Sequence, residues 1–233
     1  MAVASDLSLP PAFTLVSLRE AGDAFRHANK IAAEQGAGTL VWARRFDLAE
    51  FAVVLEPEDS LHSARRVIYA GANALADTLS VHAPPERPIT LDWPDAVRVD
   101  GALVGGVRLA WPEGGEDASP DWLVLGAMVR TVVMKAGEPG LRPLLGALDE
   151  HGFEELSPAA LIEDWTRFFL REIAEWVEAG FEAARSKWLE RAGDPALVIT
   201  DRGDAKRSGE TDSLATALRV PSWLDPQTGA PWI

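Results

Sequence analysis

Cysteine is absent from the sequence, and the 233 residues include one tyrosine and only four lysines. Without cysteine the chain forms no disulfide and offers neither a thiol nucleophile nor a cysteine-ligated metal. The four histidines are scattered without the spacing of metal ligands, so we expect no metal site. No Ser-His-Asp arrangement follows from the sequence alone, which therefore assigns no catalytic residue.

Positive charge and long apolar runs are also scarce. The chain carries 36 acidic residues against 22 basic ones, a net charge of −14, which argues against nucleic acid or an anionic membrane as the main partner. This balance leaves room for a local basic pocket. No stretch approaches the roughly 20 apolar residues of a membrane span. The first residues, MAVASDLSLPPAF, lack the basic and apolar regions of a signal peptide, so we expect a cytoplasmic protein.

The apolar residues that are present alternate between helical and strand periods. Helices are predicted over 21–35, 60–82, 157–180 and 181–191, and strands over 39–45, 51–55, 89–91, 97–99, 102–110 and 122–134. The pattern is weak over 135–156. This order predicts an α+β fold, in which helices flank one mixed, largely antiparallel sheet.

The clearest local motif is LDWPDAVRVDGALVGGVRLAW, residues 91–111. Asp100-Gly101 lies between β-rich runs and predicts a two-residue hairpin turn, because both of its residues need positive φ. Gly105 and Gly106 interrupt the second strand. They indicate a β-bulge, or another backbone or a ligand that approaches closely. The alternative is that this strand simply packs against a helix.

The order of elements, and this motif in particular, resemble the catalytic core of the biotin/lipoate protein ligase family. Family members carry Lys-Trp-Pro-Asn-Asp, a strand, a tight turn, and a strand with a Leu-Ala-Gly-Ile segment. Here 92–96, 97–100 and 101–106 correspond to these parts. Residues 125–129 look like the family's Gly-x-Gly-x-Asn strand, and 179–188 like its closing helix pair. The resemblance spans roughly residues 13–192 and implies the fold of that catalytic core.

The resemblance also implies a chemistry, in which ATP activates a carboxylic acid and the acyl-adenylate passes to a lysine on a carrier domain. Two positively charged features of the family's site are not matched in this sequence. Only FDLAE (46–50) stands where the family has a Gly/Arg-rich loop, and Asp92 replaces the lysine before Trp-Pro. A carboxylate beside a phosphate repels it by roughly 1–4 kcal/mol. The family's Asn aligns near Arg130, and its Ser-Thr-Asn opening becomes Glu-Ala-Gly at 20–22.

We expect a ligand pocket bordered by residues that match the family's ligand strands. They are Trp42, Arg44, Asp92, Trp93, Gly105, Gly106 and Arg130. Alternatives remain for several of them. Arg44 and Arg45 are either a surface pair or contribute one guanidinium to the pocket. Arg98, Arg108 and Arg130 either line it or form the exposed half of an alternating pattern. Trp93 and Trp111 are either an aromatic floor or part of the core.

Two functions are compatible with these features. One is a divergent biotin or lipoate ligase or acyltransferase, for which ATP and Mg would be cofactors only if the activity is retained. The other is a non-catalytic binding protein on the same fold. The expected partners are a small-molecule carboxylic acid or adenylate and a biotinyl/lipoyl carrier domain. We expect a core domain over 1–192 and a small C-terminal segment over 193–233, either a reduced β-module or a surface tail.

Overall fold

The computed structural model describes residues 7–133, 144–153 and 155–225. The strands are β1 (Thr14–Leu18), β2 (Thr39–Ala43), β3 (Leu48–Leu55), β4 (Ile89–Asp92), β5 (Ala96–Val99), β6 (Ala102–Ala110), β7 (Leu123–Arg130), β8 (Val198–Ile199), β9 (Ala205–Arg207) and β10 (Glu210–Asp212). The helices are α1 (Ala24–Gln35), α2 (Leu61–Ala64), α3 (Val67–His82), α4 (Pro158–Ala179), α5 (Phe181–Glu190) and α6 (Leu214–Ala217), with a 3-10 turn at Leu148–His151.

Seven of the described strands form the central sheet, in the order β1-β2-β3-β7-β6-β5-β4. β1 and β2 are parallel because α1 crosses over between them, and every other neighbouring pair is antiparallel. The predicted α+β fold with a mixed, largely antiparallel sheet is confirmed.

Helices cover the two faces of this sheet unequally. α3 and α4 pack together on one face, where Trp165 stacks on Phe169 and meets Phe51 edge-on, each pair at 4.7 Å between ring centroids. We call this the helical face. On the other face α1 packs its alanines against β2, β3 and β7. We call this the α1 face.

Local signals explain several element boundaries. Ser157 caps α4 by accepting a hydrogen bond from the Ala160 N–H at 3.2 Å, and Pro158 occupies the first turn. Gly180 ends the helix with a φ of 75°. Asp100 and Gly101 have φ values of 50° and 81°, which confirms the tight hairpin turn between β5 and β6.

Other boundaries differ from the predictions. The predicted helix 60–82 divides after Ala64, because the amides of Arg66, Ile68 and Tyr69 bond three residues back rather than four. The predicted link 46–50 already contains the start of β3, so residues 44–47 alone join β2 to β3. The predicted strand 122–134 ends at Arg130, and its last residue lies outside the described residues.

The C-terminal residues form a small three-stranded sheet, β10-β9-β8, against the core. Tyr69, which is fully buried on α3, donates its hydroxyl proton to the Gly203 carbonyl at 2.5 Å and accepts from the Trp93 indole at 2.7 Å. Within the stretch ALVIT at 196–200, only Val198–Ile199 form a strand, β8. None of the described helices combines the length and apolar character needed to cross a membrane. The cytoplasmic location stays a prediction.

Candidate functional site

Different parts of the chain lie close to the two consecutive glycines of β6, Gly105 and Gly106. A Cβ at Gly105 would overlap the Met128 carbonyl of β7. A Cβ at Gly106 would overlap the indole of Trp223 and the carbonyl of Asp95. The glycines are therefore required by close approach of this chain's own backbone and, at Gly106, by a side chain from the C-terminal segment.

Trp223 is fully buried on the α1 face of the sheet. Its indole N–H donates to the Val107 carbonyl at 2.9 Å. The preceding Ser222 donates to the Asp95 carboxylate from its backbone N–H at 3.1 Å and from its hydroxyl at 2.6 Å. Leu224 also packs here, in an apolar cluster that is separate from the main core and contains Leu48, Ala96, Leu103, Met128, Trp223 and Leu224.

Asp95 is 1% exposed, and burial raises the pKa of its carboxyl group to about 7. The hydrogen bonds from Ser222 act in the opposite direction, since they favour the ionised form. Burial has the larger effect, so the group titrates near neutral pH.

Arg108 brings a positive charge to the α1 face, where its side chain is 13% exposed. Its guanidinium lies 4.1 Å from the centre of the Phe25 ring and 5.9 Å from that of Trp223. One Nη lies 3.5 Å from Asp23, at the outer limit of a hydrogen bond, and the buried Nε has no partner among the described residues. Burial lowers the pKa of this guanidinium, because the charged form loses water.

Glu50 provides the opposite charge nearby. It is 3% exposed on β3 and accepts a hydrogen bond from the Ala24 N–H, at the N-terminus of α1, at 2.9 Å. Burial raises the pKa of this carboxyl, and the neighbouring Asp23 adds to the increase. The hydrogen bond from Ala24 and, to a smaller extent, the positive charge of Arg108 partly offset this increase.

A shallow, open depression of about 540 Å³ lies beside these charges. Its lining consists of Glu20, Ala21, Arg45, Phe46 and Asp47. Arg45 and Asp47 form a two-pronged ion pair at 2.9 and 3.1 Å across the β2–β3 connection. The lining thus holds two carboxylates and one guanidinium, and that guanidinium already has a partner.

The predicted ligand residues do not gather around one cavity. Trp42 packs in the main core on the helical face, whereas Gly106 opens toward the α1 face. Strand alternation separates them, since successive side chains point to opposite sides of a sheet. Gly105 lies on the same side of its strand as Val107, which is on the helical face. Arg130 lies on the same side of its strand as Met128, which is on the α1 face.

The remaining three predicted residues lie at the periphery. Arg44 is exposed, and Arg45 rather than Arg44 lines the depression. Asp92 pairs with Arg98 at 2.5 Å on β4 and β5, so its negative charge is balanced and the repulsion expected from it is largely cancelled. Trp93 bonds to Tyr69, which makes it part of the packing between the core and the C-terminal segment. A role of the seven residues in ligand binding stays a prediction.

Sequence reasoning missed Glu50, Asp95 and Trp223. Glu50 was placed in a polar link, although LAEFAVVL reads as one strand with a single acid on its third residue. Asp95 follows Trp-Pro in a motif that predicts extended backbone but not burial. For Trp223 the signal was a tryptophan in a Pro-rich tail, and no local pattern indicates its distant strand partner.

Comparison with known proteins identifies the fold and its extent. The model of the biotin/lipoate A/B protein ligase family matches residues 9–190, more than three-quarters of the chain. The chain belongs to this family. Its sheet, its crossover helix α1 and its closing helices α4 and α5 are thus the family's catalytic core, and residues 191–225 lie beyond the matched region.

Individual relatives agree with this assignment. A biotin–[acetyl-CoA-carboxylase] ligase of Paracoccus denitrificans is 27% identical over 176 residues, which cover 73% of each chain. A biotin protein ligase-like protein of unknown function from Silicibacter is 26% identical, with a TM-score of 0.80 over 91% of this chain and 99% of that one. The biotin protein ligase of Aquifex aeolicus in complex with biotin and ATP shares the fold alone, at 16% identity and a TM-score of 0.62 over 85% and 97% of the chains.

The family implies ATP as a cofactor, and the described side chains do not fit its phosphates. Arg45 and Arg98 are each neutralised by a carboxylate. The lining of the depression holds more carboxylates than guanidinium groups, and its Arg45 also interacts electrostatically with the buried Glu50. Within the described ranges, no group of three or more potential ligand residues is placed to hold a metal ion.

Proposed function

We propose that this chain is a divergent member of the biotin/lipoate ligase family that binds a small-molecule carboxylic acid without conventional biotinylation. The observation that carries the proposal is the state of the arginines around the site. Arg45 and Arg98 are committed to Asp47 and Asp92, so neither is available to neutralise phosphate. The guanidinium of Arg108 lies against the rings of Phe25 and Trp223 and near Asp23.

The energetic argument concerns the transition state of adenylation. Negative charge develops there on the α-phosphate and on the departing pyrophosphate, and preorganised positive groups normally offset it. Loss of one such group costs about 2.7–4 kcal/mol, a hundred- to thousandfold in rate. The free-energy costs of losing two such groups need not add, but the loss of either one leaves a weak adenylating enzyme. A single buried arginine, in contrast, is sufficient to hold one carboxylate.

A conventional ligase is the second candidate, and the 27% identity to a Paracoccus biotin ligase favours it. ATP–pyrophosphate exchange separates the two, with biotin, lipoate and octanoate each supplied with Mg. We expect exchange at the level of a no-acid control for all three, and a thermal shift with carboxylic acids that does not require ATP. Robust exchange with any of the acids would decide for the ligase.

The family also suggests a biotinyl/lipoyl carrier domain as a partner. This partner remains a proposal, which a pull-down with an isolated carrier domain tests. The lysine-to-arginine variant of the carrier is the matched control, because binding without acyl transfer does not need the acceptor lysine.

A further inference from the structure

The C-terminal segment covers a part of the α1 face that is unusually poor in side chains. Gly106 on β6 and Gly126 on β7 both open toward this face, and the indole of Trp223 lies directly over Gly106. Phe25 of α1 covers Gly126. The indole thus fills the space above Gly106, between Met128 and Arg108, and we call this space the recess.

The contacts of the indole define the chemistry that the recess accepts. Trp223 is a flat bicyclic ring with one N–H, which donates to the Val107 carbonyl. Beside it lies the Arg108 guanidinium, whose buried Nε has no partner among the described residues. The recess therefore suits a flat ring with a hydrogen-bond donor and an anionic group, because the anion meets the Arg108 Nε, which has no hydrogen-bond partner among the described residues although Asp23 and Glu50 lie near the guanidinium.

Within the C-terminal segment, residues 221–224 are held differently from the residues before them. The segment packs Leu197, Ile199, Ala205, Leu214 and Leu218 in the main core, whereas Trp223 and Leu224 belong to a small cluster apart from it. The described side-chain hydrogen bonds between residues 221–224 and the sheet involve Ser222 with Asp95 and Trp223 with Val107. Segments with few such ties open at a lower free energy than the whole domain unfolds.

We propose that segment 221–224 is an internal plug, which occupies a site for a flat anionic small molecule and leaves the sheet when that molecule binds. The inference rests on the proposed function, because it places the carboxylic acid at this site. In this proposal Arg108 selects for an anionic ligand, and Trp223 competes with that ligand for the site.

Native-state hydrogen exchange on the full wild-type chain tests whether the plug opens. The amide of Ser222, which donates to Asp95, reports on the plug, and the amide of Val53, in the middle of β3, reports on the core. We expect protection at Ser222 to be at least a hundredfold below that at Val53 and insensitive to low concentrations of denaturant. Equal protection factors would mean that Trp223 is permanent core, and would overturn the proposal without the need for a variant.

Binding of indole-3-propionate and of neutral indole tests the chemistry of the recess. In full-length Trp223→Ala we expect indole-3-propionate to bind at least tenfold more tightly than to wild type, and at least tenfold more tightly than indole. Adding Arg108→Met should abolish the preference for the anion. Equal affinity for both compounds, unchanged by Arg108→Met, would show an empty hole rather than a site.

Trp111→Ala is the matched control, because Trp111 also lies beside an arginine, Arg65, at 5.1 Å. It should leave both affinities at the wild-type level. Failure of the proposed function can be distinguished from failure of the plug proposal, since the former appears as pyrophosphate exchange by the wild type. Exchange in the wild type with a core-like Ser222 amide would reject both ideas, whereas exchange with an opening plug would reject only the absence of adenylation.

Discussion

Asp95 has an environment very different from that of its unfolded state. Its carboxyl is buried against Ser222, and its pKa rises from 3.8 to about 7. Between these two values the folded chain holds a proton that the unfolded chain has released. The free energy of unfolding therefore decreases as the pH rises through this window, and the cost is fully present above pH 7.

This linkage gives a prediction for Asp95→Asn. The wild type should lose stability relative to the variant by about 3 kcal/mol between pH 5 and pH 8, because about two pH units of the window between the two pKa values lie above pH 5. Urea unfolding of both proteins at four pH values measures the difference. Comparing the two proteins removes the contribution of Glu50, whose pKa is also raised. Parallel pH profiles would show that the Ser222 hydrogen bonds outweigh burial.

At the scale of elements, α4 depends on a single side-chain cap. Ser157 accepts from Ala160 at 3.2 Å, and Ser157→Ala should destabilise the protein by about 1 kcal/mol. Ser213 precedes α6 without a side-chain cap bond, so Ser213→Ala is the control and should be nearly neutral. Denaturant midpoints measure both. A loss of equal size in the two variants would contradict a specific role of the cap.

The same elements show how far sequence reasoning reaches. Ser157-Pro158 and Asp100-Gly101 carry their structure locally, through a side-chain bond and through positive φ, and both were predicted. β1 was not predicted, because its place is set by parallel pairing with β2 across a helix. Trp223 was missed for the same reason, since its partner Val107 is 116 residues away. The Trp-Pro motif predicts a site by resemblance, but the face on which each of its side chains lies depends on strand parity and on the tail, which no local pattern indicates.

At the scale of the whole molecule, Tyr69 joins the core to the C-terminal sheet. Tyr69→Phe leaves the Trp93 indole N–H and the Gly203 carbonyl without this partner, and should cost roughly 1–3 kcal/mol. Urea unfolding should show a lower midpoint with an unchanged slope.

The double variant Tyr69→Phe/Trp93→Phe provides the check on this coupling. Because it removes donor and acceptor together, its loss should be smaller than the sum of the two single losses. Strict additivity would mean that the hydroxyl and the indole do not act as a unit. The boundary between a core at 1–192 and a segment at 193–233 remains a prediction.

The position of Trp223 also affects the order in which the protein is completed during translation. Its strand partner Val107 is synthesised 116 residues earlier. At 5–20 residues per second, the face above Gly106 waits roughly 6–23 s for its tryptophan. Met128 and Leu48, which line that face, are also synthesised well before Trp223. The residues around the proposed recess therefore leave the ribosome before the indole that covers them.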